Sequence, residues 1–563
     1  MASTPTDKIR LLTPSRLGLL ALGGLLGVLA FPLAFPFGPR RELLPSGVLE
    51  PLAFVCLVPV LAATRGLSPR RAFGGGFLAG WVFFTGAFWW VNVAMTTFGG
   101  MPHAASIPAL LALAAWCAFH WGLALGLTRF LEARHGWAAG LVFGPVWMAT
   151  ELLRNYLFSG FPWANLGYSQ MRNLWLSQVG SLLGVYGVAL LVAFVNGALY
   201  EALRAVRWKE RVFPRALVGA AVAALVLGHV YGFFRVRAVE AAMAQAPTVR
   251  IAVVQGNIDQ KLKNAQGSQA SMVLAAYNPP TSAADDARAD LIVWPEASFP
   301  IAFIKGTKAI QGRGLERMSY SARLLLGVDV VDPNDLRHGS ENAAYLVSPD
   351  LRVEDQYTKY HLVPFGEYVL FNLDKYLPID NLVPGTFKAG TEIRPFKLTL
   401  DKGGTRQEVK IGTEICFDAI FPEISRTYAR QDVNVLVNLT NDAWYGFSAA
   451  PFQFLRMVAM RAVETGRPVA RAANTGISAF IDPLGRIHQP TPIGLVQSDH
   501  NQVDAGLRVP PEWRVQDLPL MSGTTPYVVI GDVPAYLAAA FTVGAWAWGL
   551  SKGRRARKQQ ARA

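Results

Sequence analysis

Three residues in the second half of the chain have the types and the settings for covalent acyl chemistry: Glu296, Lys359 and Cys416. Glu296 follows the run Leu-Ile-Val-Trp-Pro, Lys359 opens Lys-Tyr-His-Leu-Val-Pro-Phe-Gly-Glu, and Cys416 stands within Lys-Ile-Gly-Thr-Glu-Ile-Cys-Phe-Asp. The thiolate is the reactive form of cysteine, so Cys416 needs a base and a nearby positive charge. Glu296 can take the thiol proton. Lys359 can stabilise first the thiolate and then the oxyanion of a tetrahedral intermediate, with a backbone N–H just after the cysteine, such as that of Phe417, as a second donor. Taken singly, each residue has an ordinary reading as well: a carboxylate at a solvated turn, a surface lysine, a cysteine acting as a small core residue. Pro295 fixes the backbone before Glu296, and a Pro364/Gly366 turn lies near Lys359.

Other polar candidates are weaker. Asn438, Asn441 and Asp442 close a strand and either hydrogen-bond the site or cap a turn, and Asn474 is similar. Trp294, Asn438, Trp444 and Tyr445 are candidates for the substrate site, with core packing the alternative for the aromatic rings. The 8 histidines show no metal-ligand spacing. There is no phosphate-binding loop and no dinucleotide fingerprint. No metal or cofactor is expected.

These residues lie at the ends of short β-rich runs, among them Val249–Val254, Leu291–Trp294, Leu324–Val330, Ala344–Val347, Val409–Ile415, Val433–Leu439 and Ile477–Ile481. Phe452–Thr465 has helical spacing. Strands mixed with helices over residues 247–506 predict a layered α/β or α+β domain. The stretch after Lys359, through Leu362, Phe365, Tyr368, Leu370, Phe371, Tyr376, Leu377 and Val383, is unusually apolar. It is read as either a core-packing arm or a membrane-facing one that admits an acyl chain.

The rest of the chain is of another kind. Of 563 residues, 52% are hydrophobic and only 16% charged, and the mean hydropathy is +0.26. That excludes a disordered chain, a coiled coil and a plain soluble enzyme. Apolar runs at about Leu17–Phe37, Leu52–Ala63, Phe73–Met95, Ile107–Leu127, Trp137–Leu157, Leu176–Leu199 and Ala216–Phe234 predict seven transmembrane helices within residues 1–240. An eighth run, Tyr527–Leu550, follows a linker at 507–526 and precedes a basic tail at 551–563. Glu151 and Arg154 in the fifth run are expensive in lipid and are expected to face the bundle interior or the interface. With the N-terminus inside, nineteen Lys and Arg residues fall in inner segments, and Arg40, Arg41, Arg154 and Arg172 in outer ones. This bias places both termini in the cytoplasm and residues 247–506 outside. The net charge of +14 is then a topology signal, and no nucleic-acid partner is expected. Three cysteines cannot build a disulfide framework.

The order Glu296, Lys359, Cys416 resembles the Glu-Lys-Cys triad of the nitrilase superfamily, and the longer runs resemble its apolipoprotein N-acyltransferase branch. Those runs are Val254–Asn257, Trp294–Glu296, Lys359–Tyr368, Gly412–Cys416, Asn438–Gly446 and Arg461–Gly476. The resemblance covers the whole 247–506 segment, and the eight-span frame is also that family's layout. It implies an extracytoplasmic α-β-β-α sandwich on a polytopic bundle in the bacterial cytoplasmic membrane. It also implies ping-pong transfer of an acyl chain from a phospholipid, through a thioester on Cys416, to the free α-amino group of a lipoprotein's diacylglyceryl-cysteine. Glu296 would be the general base, Lys359 the oxyanion stabiliser and Glu367 a second glutamate that orients the lysine or shuttles protons. Two departures stand out. Phe417 and Asp418 occupy positions where Tyr-Glu is usual, and Phe-Ser-Ala-Ala-Pro-Phe-Gln-Phe follows Gly446 where Trp-Gln-His is common. A nitrilase-like hydrolase, with water as the acceptor, and a transporter or scaffold are the alternatives.

Overall fold

Unbroken apolar stretches form helices at the start of the chain, and short β-branched runs punctuated by Gly, Pro and Asn form strands after residue 247. The computed structural model describes residues 13–33, 49–258, 270–310, 320–335, 340–370, 387–493 and 510–560. The chain divides into two compact units: Met1–Asn92 with His103–Val236 and Ile530–Ala563, and Val93–Pro102 with Arg237–Val529.

The first unit is helical: α1 (Pro14–Leu29), α2 (Leu57–Ala63), α3 (Pro69–Ala87), α4 (Trp89–Val93), α5 (His103–His135), α6 (Ala139–Tyr156), α7 (Leu174–Ser177), α8 (Gly180–Arg207) and most of α9 (Arg215–Gln245). Among the described residues, four helices are long and apolar enough to cross a membrane: α5, α8, α9 and the C-terminal Val533–Arg554. A fifth arises if Pro69–Ala87 and Trp89–Thr97, bent by 53°, count as one span. Among the described residues, length and composition thus support four or five full spans; the sequence suggests eight over the whole chain. The first two expected runs form only the shorter Pro14–Leu29 and Glu50–Ala63, and residues 34–48 lie outside the described set.

Glu151 and Arg154 are buried in the bundle at 5% and 2% exposure. Arg154 donates to the carbonyls of Trp163 (2.7 Å) and Phe161 (3.2 Å) and to Asn165 Oδ1. Glu151 accepts from Trp147 Nε1 (3.1 Å) and the Leu166 N–H (2.7 Å). The two charged side chains therefore hold part of the non-α-helical stretch 157–170, satisfying the Phe161 and Trp163 carbonyls and the Leu166 N–H beside that stretch's own backbone bonds, such as Gly160 N–H to the Leu157 carbonyl and Tyr168 N–H to the Asn165 carbonyl.

The second unit carries two mixed sheets. One has the order β13-β1-β2-β4-β5-β6, with β3 (Phe303–Ile304) off its path: β1 (Thr248–Gln255), β2 (Leu291–Val293), β4 (Arg323–Val331), β5 (Ser340–Val347), β6 (Val353–Thr358) and β13 (Glu512–Pro519). The other has the order β12-β11-β10-β9-β8-β7: β7 (Phe396–Lys402), β8 (Thr405–Ile415), β9 (Val435–Thr440), β10 (Val469–Ala473), β11 (Ala479–Ile481) and β12 (Ile487–His488). At the centre of each sheet, β1-β2-β4 and β8-β9-β10 run parallel. Cover on both faces accounts for the apolar runs at 251–254, 291–293, 324–326 and 435–437, whereas β8 begins polar and exposed and is continuously buried only from Ile411 on. The sheets meet through β1 with β10 and β5 with β8. Helix α10 (Ala270–Asp286) packs on the first sheet, and α11 (Pro422–Arg430) and α12 (Ala450–Thr465) on the second. The short α13 (Pro526–Ile530) precedes α14 (Val533–Gln560).

The 507–526 segment is not a plain linker, because β13 pairs along all of β1, from Thr248↔Pro519 to Gln255↔Glu512. Its charges hid it. β13 is an edge strand whose Asp517 meets Arg250 at 2.8 Å, and edge strands carry such polar residues.

Candidate active site

The parallel strands all end on one side of their sheets, and loops beyond the carboxyl ends of such strands are where α/β proteins place their sites. Glu296 lies three residues past β2, Lys359 directly past β6, and Cys416 directly past β8. Glu296 reaches its position because Gly327 on β4 lets the Pro295–Glu296 backbone pass close. A Cβ there would stand 2.7 Å from Glu296 Cα and collide with the Pro295 carbonyl. Cys416 itself has φ +46°, and Ala297, next to Glu296, has φ +45°. A left-handed backbone at a non-glycine residue costs energy and persists where the surroundings impose it, typically at functional sites.

The charged groups converge. Lys359 Nζ lies 3.0 Å from Glu296 Oε1 and 2.8 Å from Glu367 Oε1, and the lysine is 1% exposed. Asn342 Nδ2 donates to the same two oxygens, at 2.7 and 3.0 Å. The Asn441 N–H donates to Glu296 Oε2 (2.9 Å) and the Val363 N–H to Glu367 Oε2 (2.8 Å). Burial alone would neutralise both Glu296 and Lys359, but their mutual attraction outweighs it. Glu296 is held below the usual carboxylate range by Lys359, Asn342 and the Asn441 N–H, and Lys359 well above its ordinary value by Glu296 and Glu367. The pair is an ammonium facing a carboxylate.

Cys416 is buried at 6% exposure. Burial pushes its thiol up, and Glu296 pushes further, against the opposing pull of Lys359 and a hydrogen bond with Thr440. The resting cysteine is a thiol beside an ionised base. Tyr445, half-buried, also hydrogen-bonds the Cys416 sulfur.

Asp418 ties the two walls of the site together. Its Oδ2 accepts from Tyr357 Oη (2.8 Å) and the Ile415 N–H (3.1 Å), and its Oδ1 accepts from the His361 N–H (2.7 Å). One carboxylate thus grips the strand and loop that flank Lys359 and the residue before Cys416. Burial lifts its pKa to about 6. Phe417 is buried against Phe421 and His361, with ring centroids 5.3 and 5.8 Å away.

Two of the substrate-site candidates are interior residues. Trp294 is fully buried, stacked on Tyr277 at 4.6 Å, with its Nε1–H donated to Thr281. It presents no face to a ligand. Asn438 is fully buried between Arg471 and the Glu414 carbonyl. Arg471 also pairs with Asp442 (2.7 Å), forming a buried support under the Asn441–Gly446 turn. Trp444 and Tyr445 are half-buried on that turn. Within the apolar stretch after Lys359, Tyr360 and Phe365 are 39% and 49% exposed, and residues 371–386 lie outside the described set. Asn342 and Tyr357 also belong to the site, with no motif to mark them. For Asn342 the available signal is an amide at the head of the apolar run 343–347 of β5, since a buried polar side chain needs partners. Among the described residues, no cluster of His, Cys, Asp or Glu suits a metal ion.

Comparison with known proteins agrees with this layout. The family profile described as apolipoprotein N-acyltransferase N-terminal domain matches residues 23–198, and the carbon-nitrogen hydrolase profile matches 241–492. An apolipoprotein N-acyltransferase of Geobacter metallireducens is 37% identical over 454 residues, covering 80% of this chain and 84% of that protein. One from Rhizobium rhizogenes is 34% identical over 486 residues, covering 83% and 86%. Among solved structures, an amidase of the nitrilase superfamily from Nesterenkonia AN1 aligns over 52% of this chain and 98% of its own, with 18% identity and a TM-score of 0.33. This is a membrane protein, and the chain belongs to the apolipoprotein N-acyltransferase family, acyltransferases built on a carbon-nitrogen hydrolase domain.

Proposed function

We propose that the protein transfers a fatty acyl chain from a membrane phospholipid, through a thioester on Cys416, to the free α-amino group of the diacylglyceryl-cysteine of apolipoproteins. The observation that carries this reading is the buried Lys359–Glu296 ion pair at 3.0 Å acting on the Cys416 thiol at a strand end. Glu296 takes the thiol proton as sulfur attacks the ester carbonyl. Concerted transfer suits a thiol whose ionisation in isolation is unfavourable. Lys359, with a backbone N–H after Cys416 such as that of Phe417, stabilises the oxyanion. The carbon–oxygen ester bond breaks, and the lysophospholipid leaves with the proton from Glu296. The acceptor amine then attacks the thioester, the carbon–sulfur bond breaks, and Glu296 takes the amine proton and returns it to sulfur. Glu367 and Asn342 hold the lysine and the base in register, and Trp444 and Tyr445 line the entry.

The catalytic unit works at the extracytoplasmic face of the bacterial cytoplasmic membrane, with both termini in the cytoplasm and no cofactor. Both substrates are lipids or lipid-anchored, which accounts for an enzyme held in the bilayer. The test is a reconstituted reaction with phospholipid micelles and a synthetic diacylglyceryl-cysteine peptide. The expected product is the N-acyl amide, formed in step with lysophospholipid. Release of free fatty acid at the same rate with or without the peptide would instead make the protein a hydrolase.

A further inference from the structure

We propose that Asn474 is a positioning residue that sets the aim of Glu296 through a closed circuit of contacts joining the two sheets. The inference rests on the reading of Glu296 as general base. Asn474 directly follows β10 and is fully buried. Its Oδ1 accepts from Tyr277 Oη (3.1 Å) and the Ile258 N–H (3.2 Å). Its Nδ2 donates to the Ile258 carbonyl (2.7 Å) and to Asn441 Oδ1 (3.0 Å). Its backbone N–H donates to Thr440 O (3.1 Å), and its carbonyl accepts from the Asn257 N–H (2.9 Å). Two acceptor and two donor sites are the full capacity of a side-chain amide, and all four are used. Because two N–H or O–H donors face Oδ1 and two oxygens face Nδ2, the amide has one orientation.

The circuit closes on the base. Asn441, held by Asn474, directs its own N–H at Glu296 Oε2 (2.9 Å), while Lys359 and Asn342 hold Oε1. On the other side, the Tyr277 ring stacks on Trp294, two residues before Glu296. Tyr277 sits this close to the end of β1 because position 256 is glycine, where any Cβ would strike the ring. Asn474 therefore spans β1 and α10, which belong with the sheet of Glu296, and the ends of β9 and β10, in the sheet of Cys416. A shift of the Asn441 N–H that anchors Glu296 Oε2 is resisted by Asn474, which Tyr277 and Ile258 hold in turn. No other side chain of this size fits. Aspartate would set a carboxylate oxygen against two oxygens, and leucine would strand all four partners.

The test uses the full-length protein in mixed phosphatidylethanolamine–phosphatidylglycerol micelles. The readout is the rate of Cys416 acylation against pH and against phospholipid concentration, for N474D, Y277F and E296Q. N474D loses the amide donor to Asn441 Oδ1 and so loosens the Asn441 N–H that stabilises the Glu296 carboxylate; the proton affinity of the base rises, and the acid limb of the rate profile should move up by about half to one pH unit. Y277F removes one hydroxyl and keeps the ring stack. It should lower kcat about three- to tenfold with KM unchanged, the loss of one hydrogen bond in a preorganised site. An unmoved acid limb in folded N474D overturns the proposal, as does a wild-type kcat in Y277F, which decides the matter if N474D does not fold. Wild-type acylation in E296Q would instead remove the base assignment, so the two failures are distinguishable.

Discussion

Replacing Asp418 should damage stability and rate together, because one carboxylate serves both walls of the site. In Asp418→Ala, the Tyr357 hydroxyl and the N–H groups of His361 and Ile415 lose acceptors now 2.7 to 3.1 Å away. A buried donor left unsatisfied costs roughly 1–3 kcal/mol, and the three together about 3–6 kcal/mol after partial relaxation. That is a large share of the roughly 5–15 kcal/mol that holds an ordinary domain folded. Asp418→Asn separates the contributions. Whichever way the amide turns, one backbone N–H, of His361 or of Ile415, faces an NH2 group, while Tyr357 can turn to accept. The expected cost is about 1–3 kcal/mol. The rate should fall in the same order, since a misplacement of about 1 Å between reacting groups costs on the order of a hundredfold. The assay is thermal unfolding of the detergent-solubilised protein beside single-turnover acylation of Cys416. A Tm and a rate equal to wild type in Asp418→Ala would show that the carboxylate holds neither wall, and so would an Asn variant worse than the Ala variant.

Glu296→Gln should stop acyl-enzyme formation, and Lys359→Met should slow it by about two to three orders of magnitude, the usual loss for one oxyanion donor. Quenched-flow detection of the thioester checks both, and a wild-type rate in either would require reassigning that residue. Glu414, fully buried two residues before Cys416 with Ser425 on its Oε1, has its pKa lifted to about 7 by burial. Its folded value lies above the unfolded one, so the folded state binds the extra proton. The stabilisation is whole below about pH 4.5 and is lost as pH rises through about 7. Glu414→Gln lacks this dependence and should gain on wild type by up to roughly 3 kcal/mol between pH 5 and 8. Parallel unfolding curves at all pH values would contradict this. Paired substitutions Leu370→Glu and Phe371→Glu should lower activity on phospholipid far more than on a short soluble thioester. Equal losses, or unfolding, would make that stretch structural.

What the sequence discloses follows the physics of each element. β1 and β4 are visible because burial on both faces demands apolar runs, β8 because its buried second half, 409–415, is rich in Val and Ile, and α12 because it keeps a helical period. β13 is not, since an edge strand carries charges, and α10 is masked by its internal Pro279 and Pro280. Glu296, Lys359 and Cys416 stand out because each directly ends or follows a strand-like run. The residues that hold them do not. Asn342 and Tyr357 act through hydrogen bonds across strands distant in the chain, and spacing carries no trace of such pairings; Asn474 shows in the sequence only as an amide that bonds the site or caps a turn, without its four partners. The same holds for Asp418, whose three partners come from residues 357, 361 and 415. Trp294 is the opposite case. Its place beside Glu296 suggests a ligand contact, yet it serves the stack on Tyr277.

The most direct measurement is mass spectrometry of the purified protein after incubation with phospholipid and no acceptor. A thioester mechanism requires one fatty acyl group on the peptide containing Cys416, labile to hydroxylamine, discharged by a diacylglyceryl-cysteine peptide, and absent from Cys416→Ala. No adduct, or an adduct that persists in Cys416→Ala, would contradict it.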